Sequence, residues 1–513
     1  MKTDKDLYRQ LRTLSCEKLW NEEVARFDQA SPQERVERVA VIRAVGVVFA
    51  ATATVEQRAA ARVWLARLLQ DPAEKIRRYA MAAMPKLGAG LREETELLSL
   101  LKTTTGEREK KYLGRALDKI GGAATLDVVR GAPGLLPQTE LKVKASLARK
   151  ERPSAIRLDQ LLKPPAGLRV HLRCRRGLES IVRDEVVERL GRTGQFRIAD
   201  VRSGLVALTA LTPFTLNNLY ALRCFATINL PLGTVPAGTP EATTDALAGV
   251  IASPLSRQLL TTLTEGSLRY RLDFVARSHQ RGAVRELANR AFAKCPDMLN
   301  DARSAPWSMD IHPAGLGLSV ELRPRLSPDP RFYYREGDVA AASHPPLAAC
   351  MARLAGRVAN EIVWDPFCGS GLELVECALL GGVKQVYGTD ISPEAVAVAQ
   401  ANFAAAKLAP VVASFRQCEF RQCATLPGLG PSSVTLVVSN PPMGRRIRIP
   451  DMRGLYSDFF AVAATALKPG GRLVFPNPLR LRPQDPSLQL QSSQVVDLGG
   501  YDCRLERYLK TTP

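Results

Sequence analysis

Late in the chain, "LVVSNPPMG" sets an apolar run, Leu436 to Val438, against Ser439, Asn440 and two prolines, Pro441 and Pro442. Each proline ring fixes φ and removes a backbone donor, so a strand cannot continue there and an ordinary helix cannot start. The stretch reads as a stiff polar stop at a strand end. It is either a tight turn or a rigid pair of groups that grips a flat, amide-bearing ring. Upstream, "WDPFCGSGLELVE" carries Gly369 and Gly371, which let the backbone turn and approach a ligand closely. The helix that follows presents unsatisfied amides. No Lys-Ser/Thr follows the glycines, so this is not a Walker phosphate loop, and the spacing is not that of a dinucleotide fingerprint. "GTDISPEAV" puts Asp390 at the end of a second strand, where a carboxylate can take two ribose hydroxyls. It lies 25 residues after Asp365, about one strand–helix–strand unit. In this order the pieces describe a nucleoside ligand with a positive or neutral tail, not a string of phosphates.

Positioning these residues takes a sheet. Over residues 346–513, "EIVWD", "KQVYGTD", "VTLVVSN" and "RLVFPNP" read as strands and alternate with "GLELVECALLGG", "SPEAVAVAQANFAAAKL" and "LYSDFFAVAATALKPGG" as helices. Ser392 is a good N-cap with Pro393 in the first turn. "SQVVDLGGYDCRLERYLK" reads as a closing hairpin. Alternating strand and helix implies a doubly wound parallel sheet with ligands at the carboxyl ends of the strands.

The rest of the chain divides by pattern. Residues 1–140 predict a helical repeat region. "LLQDPAEKIRRYAMAAMPKLG" is echoed by "LLKTTTGEREKKYLGRALDKIG", with Leu68 and Leu100 32 residues apart. Gly46, Gly88 and Gly121 are expected at helix ends. Such a period suggests an α-solenoid, with an irregular bundle as the alternative. Residues 141–167 read as a basic linker. Residues 168–235 and 236–330 read as two α+β, ferredoxin-like units, followed by a second linker, 331–345. The whole is multidomain, α and α/β.

The formal net charge is +20, and it is spread over all three regions of the chain, which points to a polyanionic partner, nucleic acid before a membrane surface. The start "MKTDKDLYRQ" has no secretory pattern, and no apolar run is long enough to span a membrane. Ten scattered cysteines without a C-x-x-C pair, and four widely separated histidines, suggest neither disulfides nor a metal site. A cytoplasmic protein is expected.

"DPFCGSG", "GTDIS" and "SNPPMG", in this order and spacing, resemble class I S-adenosylmethionine-dependent methyltransferases. More narrowly, they resemble the THUMP-domain RNA methyltransferases that modify the amino group of guanine in tRNA. "LRVHLRCRRGLESIVRDEVVERL" resembles the opening of that family's N-terminal ferredoxin-like module, "YRLDFVARSHQRGAVRELANRAFA" its THUMP fold, and "DPRFYYREGDVAAASHPPLAACMARLAG" its linker into the catalytic domain. The likeness covers roughly residues 168–513. The helical region, in which "DPAEKIRRYAMAAMPKLG" resembles HEAT-like repeats, lies outside it, and that resemblance implies a protein partner or extra RNA-binding surface.

The resemblance implies roles. Asp365, Pro366, Phe367, Cys368, Gly369, Ser370 and Gly371 would line the donor S-adenosyl-L-methionine. Asp390 and Ile391 would hold its ribose, and Ser343, His344 and Pro345 would fold over it. Glu419 stands where the family has an aspartate at the adenine amine. The Asn440 side-chain oxygen and the Pro441 carbonyl would each accept a hydrogen from an exocyclic ring amine. They would favour the positive charge that develops on nitrogen as the methyl group transfers. Met443 stands where family members carry an aromatic residue that stacks on the target base, so Phe367 and Tyr456 are candidates to stack instead. Arg445, Arg446 and Arg448, with Arg277, Arg281 and Arg285, would meet RNA phosphates. His344 is expected to be structural, and Cys368 is not expected to be a covalent nucleophile, since that needs an activated thiolate beside the base. A second reading is a non-catalytic RNA-binding or assembly protein on a methyltransferase scaffold. A third is a methyltransferase acting on rRNA guanine or an adenine N6 amine.

Overall fold

The computed structural model describes residues 4–131, 139–140, 143–144, 147, 151, 153–275, 281–339, 342–444 and 449–512. Two compact units divide the chain, Met1–Pro153 and Ser154–Pro513.

The first unit is helical. Its longest helices are Ala40–Thr52, Val55–Leu68, Leu91–Thr103 and Glu107–Ile120. Thr54 and Gln57 form a capping box that starts the second of these. Phe27, Phe49, Leu65 and Leu97 are buried in the unit's own core. Gly88 ends a short 3-10 turn in the left-handed conformation, as expected of a helix stop. Gly46, also expected at a helix end, lies inside Ala40–Thr52 instead. A Cβ there would come 2.8 Å from the Ala83 Cβ, so the missing side chain serves close helix–helix approach.

The second unit contains two large sheets. A short pairing of β1 (Ser154–Ile156) with β6 (Thr264–Gly266), together with the buried Leu162, ties the start of this unit to it, so residues 154–167 do not trail as a linker. The first sheet holds β2 (Arg169–Arg173), β3 (Phe196–Arg202), β4 (Leu205–Ala210) and β5 (Thr227–Val235). It also holds β7 (Leu268–Phe274), β8 (Met298–Asn300), β9 (Trp307–Ala314) and β10 (Gly317–Pro324). Its order is β3-β4-β2-β5-β10-β9-β7-β8. The antiparallel β5–β10 pair makes one sheet of the two α+β regions.

The second sheet is the one the site needs. It holds β11 (Glu361–Asp365), β12 (Val383–Asp390), β13 (Val412–Gln417), β14 (Val434–Val438), β15 (Leu467–Asn477), β16 (Leu488–Asp497) and β17 (Asp502–Lys510). Its order is β13-β12-β11-β14-β15-β17-β16. The first five strands are parallel, and β17 runs antiparallel to both β15 and β16. The order reverses between β11 and β14, which places a ligand crevice at their carboxyl ends. Val363, Val386, Leu436, Val437 and Val474 are fully or almost fully buried, as strands covered on both faces require. The two sheets share one apolar core through helix Pro345–Ala355. Arg223 forks onto Glu376 at 2.7 Å, and the Tyr334 hydroxyl donates to the same carboxylate at 2.6 Å. Among the described residues no helix is long and apolar enough to cross a membrane, and no cluster of metal-ligating side chains forms.

Candidate active site

β11 ends at Asp365, which is fully buried. Its Oδ1 accepts from the Phe367 amide at 3.1 Å and from the Ser439 hydroxyl at 2.5 Å. Its Oδ2 is buried without a partner. Burial first, and then the charge of Glu373, push this carboxyl well above its ordinary range. Such an oxygen is an acceptor waiting for a cationic or donor group.

After Asp365 the chain turns through two left-handed glycines, Gly369 at φ 50 and Gly371 at φ 77. A Cβ on Gly371 would press on Ala399 at 3.1 Å. Helix Leu372–Leu380 starts directly after it. The Gly369 amide donates to Asp390 Oδ2 and the Ser392 amide to Asp390 Oδ1, each at 3.0 Å. Asp390 is thus fixed beside the loop at the end of β12, with lone pairs left on both oxygens for hydroxyl donors. Cys368 is buried, and burial, then the neighbouring carboxylates Asp365, Asp390 and Glu373, push its thiol well above its ordinary range. It is no thiolate nucleophile. Ser370 is buried and its carbonyl accepts from Asn402 at 2.9 Å, while Pro366 is buried beside Asp365. Ile391 is exposed at the rim.

The acceptor motif follows β14. Asn440 donates through Nδ2 to the Ser343 hydroxyl at 2.8 Å, and Ser343 donates in turn to Glu373. The Asn440 Oδ1 is buried and has no partner. Pro441 is buried behind it, and Pro442 and Met443 are half-buried. A cavity of about 590 Å³ opens here. Its walls are Ser343–Pro345, Asn440–Met443 and the β16–β17 turn at Leu498, Gly499 and Tyr501, with Arg175 adding positive charge and Arg335 paired with Asp338. The Tyr501 hydroxyl donates to the Met443 thioether. His344 begins helix Pro345–Ala355 as its N-cap, with no side-chain cap bond. Desolvation in the cleft, then the charges of Arg175, Arg331 and Arg335, push its imidazole below its ordinary range, although one edge is exposed to the cavity.

Three expectations meet a different arrangement. Tyr456 is fully buried and offers no face to a base. Phe367 packs at 4.8 Å on Phe420 and 5.7 Å on Phe459, centroid to centroid, on the donor side of the fold. Glu419 caps a short 3-10 turn, and its two oxygens accept from the Arg421 backbone amide and guanidinium at 2.9 and 2.6 Å. Arg285 is exposed on helix Arg281–Lys294. Arg281 opens that helix, its side chain outside the description, and Arg277, Arg445, Arg446 and Arg448 lie outside the described residues. Tyr501, Arg175, Arg335 and Glu373 lie inside quoted stretches, but sequence reasoning gives none of them a site role. Topology alone brings Tyr501 in, because the β17 strand starts beside the carboxyl end of β15.

Residues 333–481 match the family model described as RMKL-like, methyltransferase domain. A 200-residue stretch is 26 % identical to a ribosomal protein L11 methyltransferase of Photobacterium profundum, covering 37 % of this chain and 61 % of that one. A 95-residue stretch is 39 % identical to the protein of the same name from Synechococcus elongatus, covering 18 % and 30 %. The chain therefore spans less than two thirds of the length of either relative. The crystal structure of TrmN from Thermus thermophilus shares the fold, with a TM-score of 0.51 over 67 % of this chain and 99 % of that one, at 21 % identity. The sheet order, glycine loop and matched model define an α/β methyltransferase domain, and hence an enzyme. Its donor is S-adenosylmethionine. The buried unpaired Asp365 oxygen and the amide-held Asp390 carboxylate fit the donor's cationic end and ribose hydroxyls respectively.

Proposed function

We propose that the chain methylates an exocyclic amine of a nucleic-acid base, a guanine N2 amine in tRNA by preference. The observation that carries this reading is the Asn440 Oδ1, an acceptor left buried and unpaired at the edge of the cavity. An amine attached to an aromatic ring is a poor nucleophile, since its lone pair is delocalised. Asn440 Oδ1 and the Pro441 carbonyl would take its two hydrogens and hold the lone pair toward the methyl group. Both acceptors are rigid before substrate arrives, so no reorganisation is needed when positive charge grows on nitrogen. The donor, once bound, supplies a methyl group activated by its sulfonium. Asp365, Asp390 and the glycine loop would hold it, and Ser343 to Pro345 would close the side facing the acceptor.

Met443 does not end the case for a stacked base. Tyr501 bonds to it across the cavity wall, and the pair offers an aromatic ring beside a polarizable thioether. Arg175 adds positive charge that a nucleotide phosphate needs, while the charge of Arg335 is taken by its ion pair with Asp338. In this reading the regions 168–235 and 236–330 would capture RNA as ferredoxin-like and THUMP-like modules, and the helical unit would extend the surface for RNA or a protein partner as HEAT-like repeats. The overall +20 charge supports a polyanionic substrate.

The test incubates the purified chain with labelled methyl donor and total small RNA, then digests the product to nucleosides. Label in N2-methylguanosine is expected. Label in N6-methyladenosine or in rRNA only would change the acceptor while keeping the amine chemistry. Label in a ribosomal protein fraction, the substrate class in the names of the two relatives, would overturn the reading. Donor binding with no transfer at all would favour the non-catalytic scaffold.

A further inference from the structure

The orientation of the Asn440 amide is not left to Asn440. We propose that Glu373 and Ser343 are positioning residues that dictate which end of this amide faces the substrate. The inference rests on the reading above, in which Asn440 Oδ1 accepts from the target amine. Glu373 lies in the first turn of helix Leu372–Leu380 and is 3 % exposed, and Ser343 is 8 % exposed. Ser343 donates to Glu373 Oε1, and Asn440 Nδ2 donates to Ser343 Oγ at 2.8 Å.

Donor and acceptor capacities make this chain directional. An ionised carboxylate only accepts, so the single hydroxyl hydrogen of Ser343 is committed to Glu373. The Ser343 oxygen is then limited to accepting, and the amide must present its NH2 to it. The amide oxygen is thereby aimed away from Ser343, the direction in which it has no partner. Flipping the amide would set oxygen against oxygen at Ser343 and offer an NH2 to an amine that is itself a donor. Two wrong contacts oppose the flip, so a single carboxylate charge fixes the acceptor.

The same logic runs backwards when Glu373 gains a proton. A neutral carboxyl donates to Ser343, the Ser343 hydrogen becomes free to reach the amide oxygen, and the flipped amide is no longer excluded. The groups around Glu373 set where this happens. Glu376 lies one turn on in the same helix and is paired with Arg223 and Tyr334. Asp365 ends β11, and Cys368 and Cys377 feel the same charge. Burial first, opposed by the Ser343 hydrogen bond and by a backbone hydrogen bond within the residue, leaves the Glu373 carboxyl above its ordinary range. Activity should therefore fall on the acid side as Glu373 takes up its proton.

The experiment compares Ser343→Ala, Ser343→Thr and Glu373→Gln with Asn440→Ala in the full-length protein. It reads kcat, KM and the kcat–pH profile for RNA methylation, with donor affinity by calorimetry. Ser343→Ala is expected to lower kcat on the order of 10- to 100-fold, the scale on which lost positioning acts, a larger factor than any change in donor affinity. Ser343→Thr keeps the hydroxyl and should restore most of kcat. Glu373→Gln cannot titrate, so the acid limb assigned to Glu373 should vanish. Retention of wild-type kcat by Ser343→Ala, or of the acid limb by Glu373→Gln, would overturn the relay. If Asn440→Ala lowers kcat while Ser343→Ala keeps the wild-type value, the relay fails alone. If Asn440→Ala keeps full activity, the reading on which the relay rests fails with it.

Discussion

Two buried polar clusters in the second unit obey opposite rules. In the first sheet, Glu321 of β10 is 1 % exposed and both its oxygens are used. Arg173 forks onto it at 2.8 and 2.6 Å, His171 meets it at 2.9 Å, and His312 lies at 3.5 Å. In the second sheet, Asp365 and Asn440 each keep one buried oxygen with no partner. A structural carboxylate is satisfied by the protein. A site residue is held by one atom and left open at the other. Both clusters are assembled by strands, so burial and charge do not separate them. Between the Glu321 and Asp365 carboxylates the unpaired oxygen does, although buried atoms without a hydrogen-bond partner also occur away from the site, at Glu96 Oε2, the Tyr456 hydroxyl and His312 Nε2.

The comparison breaks first at Glu321. Burial alone would raise its pKa; the hydrogen bonds from His171 and Arg173 and the Arg173 charge outweigh it and bring it to about 2. A depressed carboxylate contributes stability that is complete above its unfolded value and is lost as pH falls through the folded one. Its contribution should thus disappear between the ordinary glutamate range and about pH 2. Glu321→Ala leaves Arg173 uncompensated in a mostly buried place and should cost about 3–5 kcal/mol in denaturant unfolding, with the kcat of the folded fraction unchanged. A variant as stable as the parent would show the cluster to be ornamental.

Asn440→Ala should do the reverse. Removing the amine acceptor is expected to lower kcat by roughly 10²–10³-fold, the scale on which a lost charge-stabilising partner acts. Stability should hardly change. The lost Ser343 bond is offset by removal of an unpaired buried oxygen. A melting temperature that falls together with kcat would place Asn440 among the structural polar groups.

What the sequence makes legible follows the same division. The donor side can be read because its residues are contiguous and their backbone is special: Asp365 through Gly371 with two left-handed glycines, then Asp390 at the next strand end. The parallel sheet can be read because its strands are β-branched runs between capped helices. The far wall of the cavity cannot. Tyr501 meets Met443 across 58 residues, and Glu373 sits inside a helix whose pattern is that of any buried helix. The joining of β5 to β10 is equally silent, because edge pairing depends on register and not on residue type. Tyr456 and Glu419 show the converse, residue types suited to a site but turned by packing into core and cap.

A smaller effect tests the wall that sequence does not reveal. Tyr501→Ala should raise the KM for RNA by the equivalent of about 1–3 kcal/mol, the usual value of one base–aromatic stack. Tyr501→Phe keeps the ring and loses the hydroxyl bond to Met443, so its KM should stay near that of the parent. Equal losses in both variants would assign the role to the hydroxyl and remove the stacking argument.

The smallest effect concerns the proton on Asp365. In the free protein, burial, then Glu373 and Asp390, hold this carboxyl above its ordinary range against the hydrogen bonds from Ser439 and Phe367. An acid raised on folding binds its proton more tightly in the folded state. The stability from that proton is present below the unfolded value and lost as pH rises through the folded one. A cationic donor needs the carboxylate, so its binding must displace the proton wherever Asp365 still carries it. Donor affinity should rise with pH by at most about tenfold per unit, one proton's worth, and then level off above the Asp365 pKa. Calorimetry in two buffers of different ionisation heat should show proton release in the rising range and none on the plateau. Asp365→Asn should bind more weakly and without either signature. Unchanged proton release in that variant would move the titration to Glu373, the other buried carboxyl of the site, and would leave the unpaired Asp365 oxygen with no part in holding the donor.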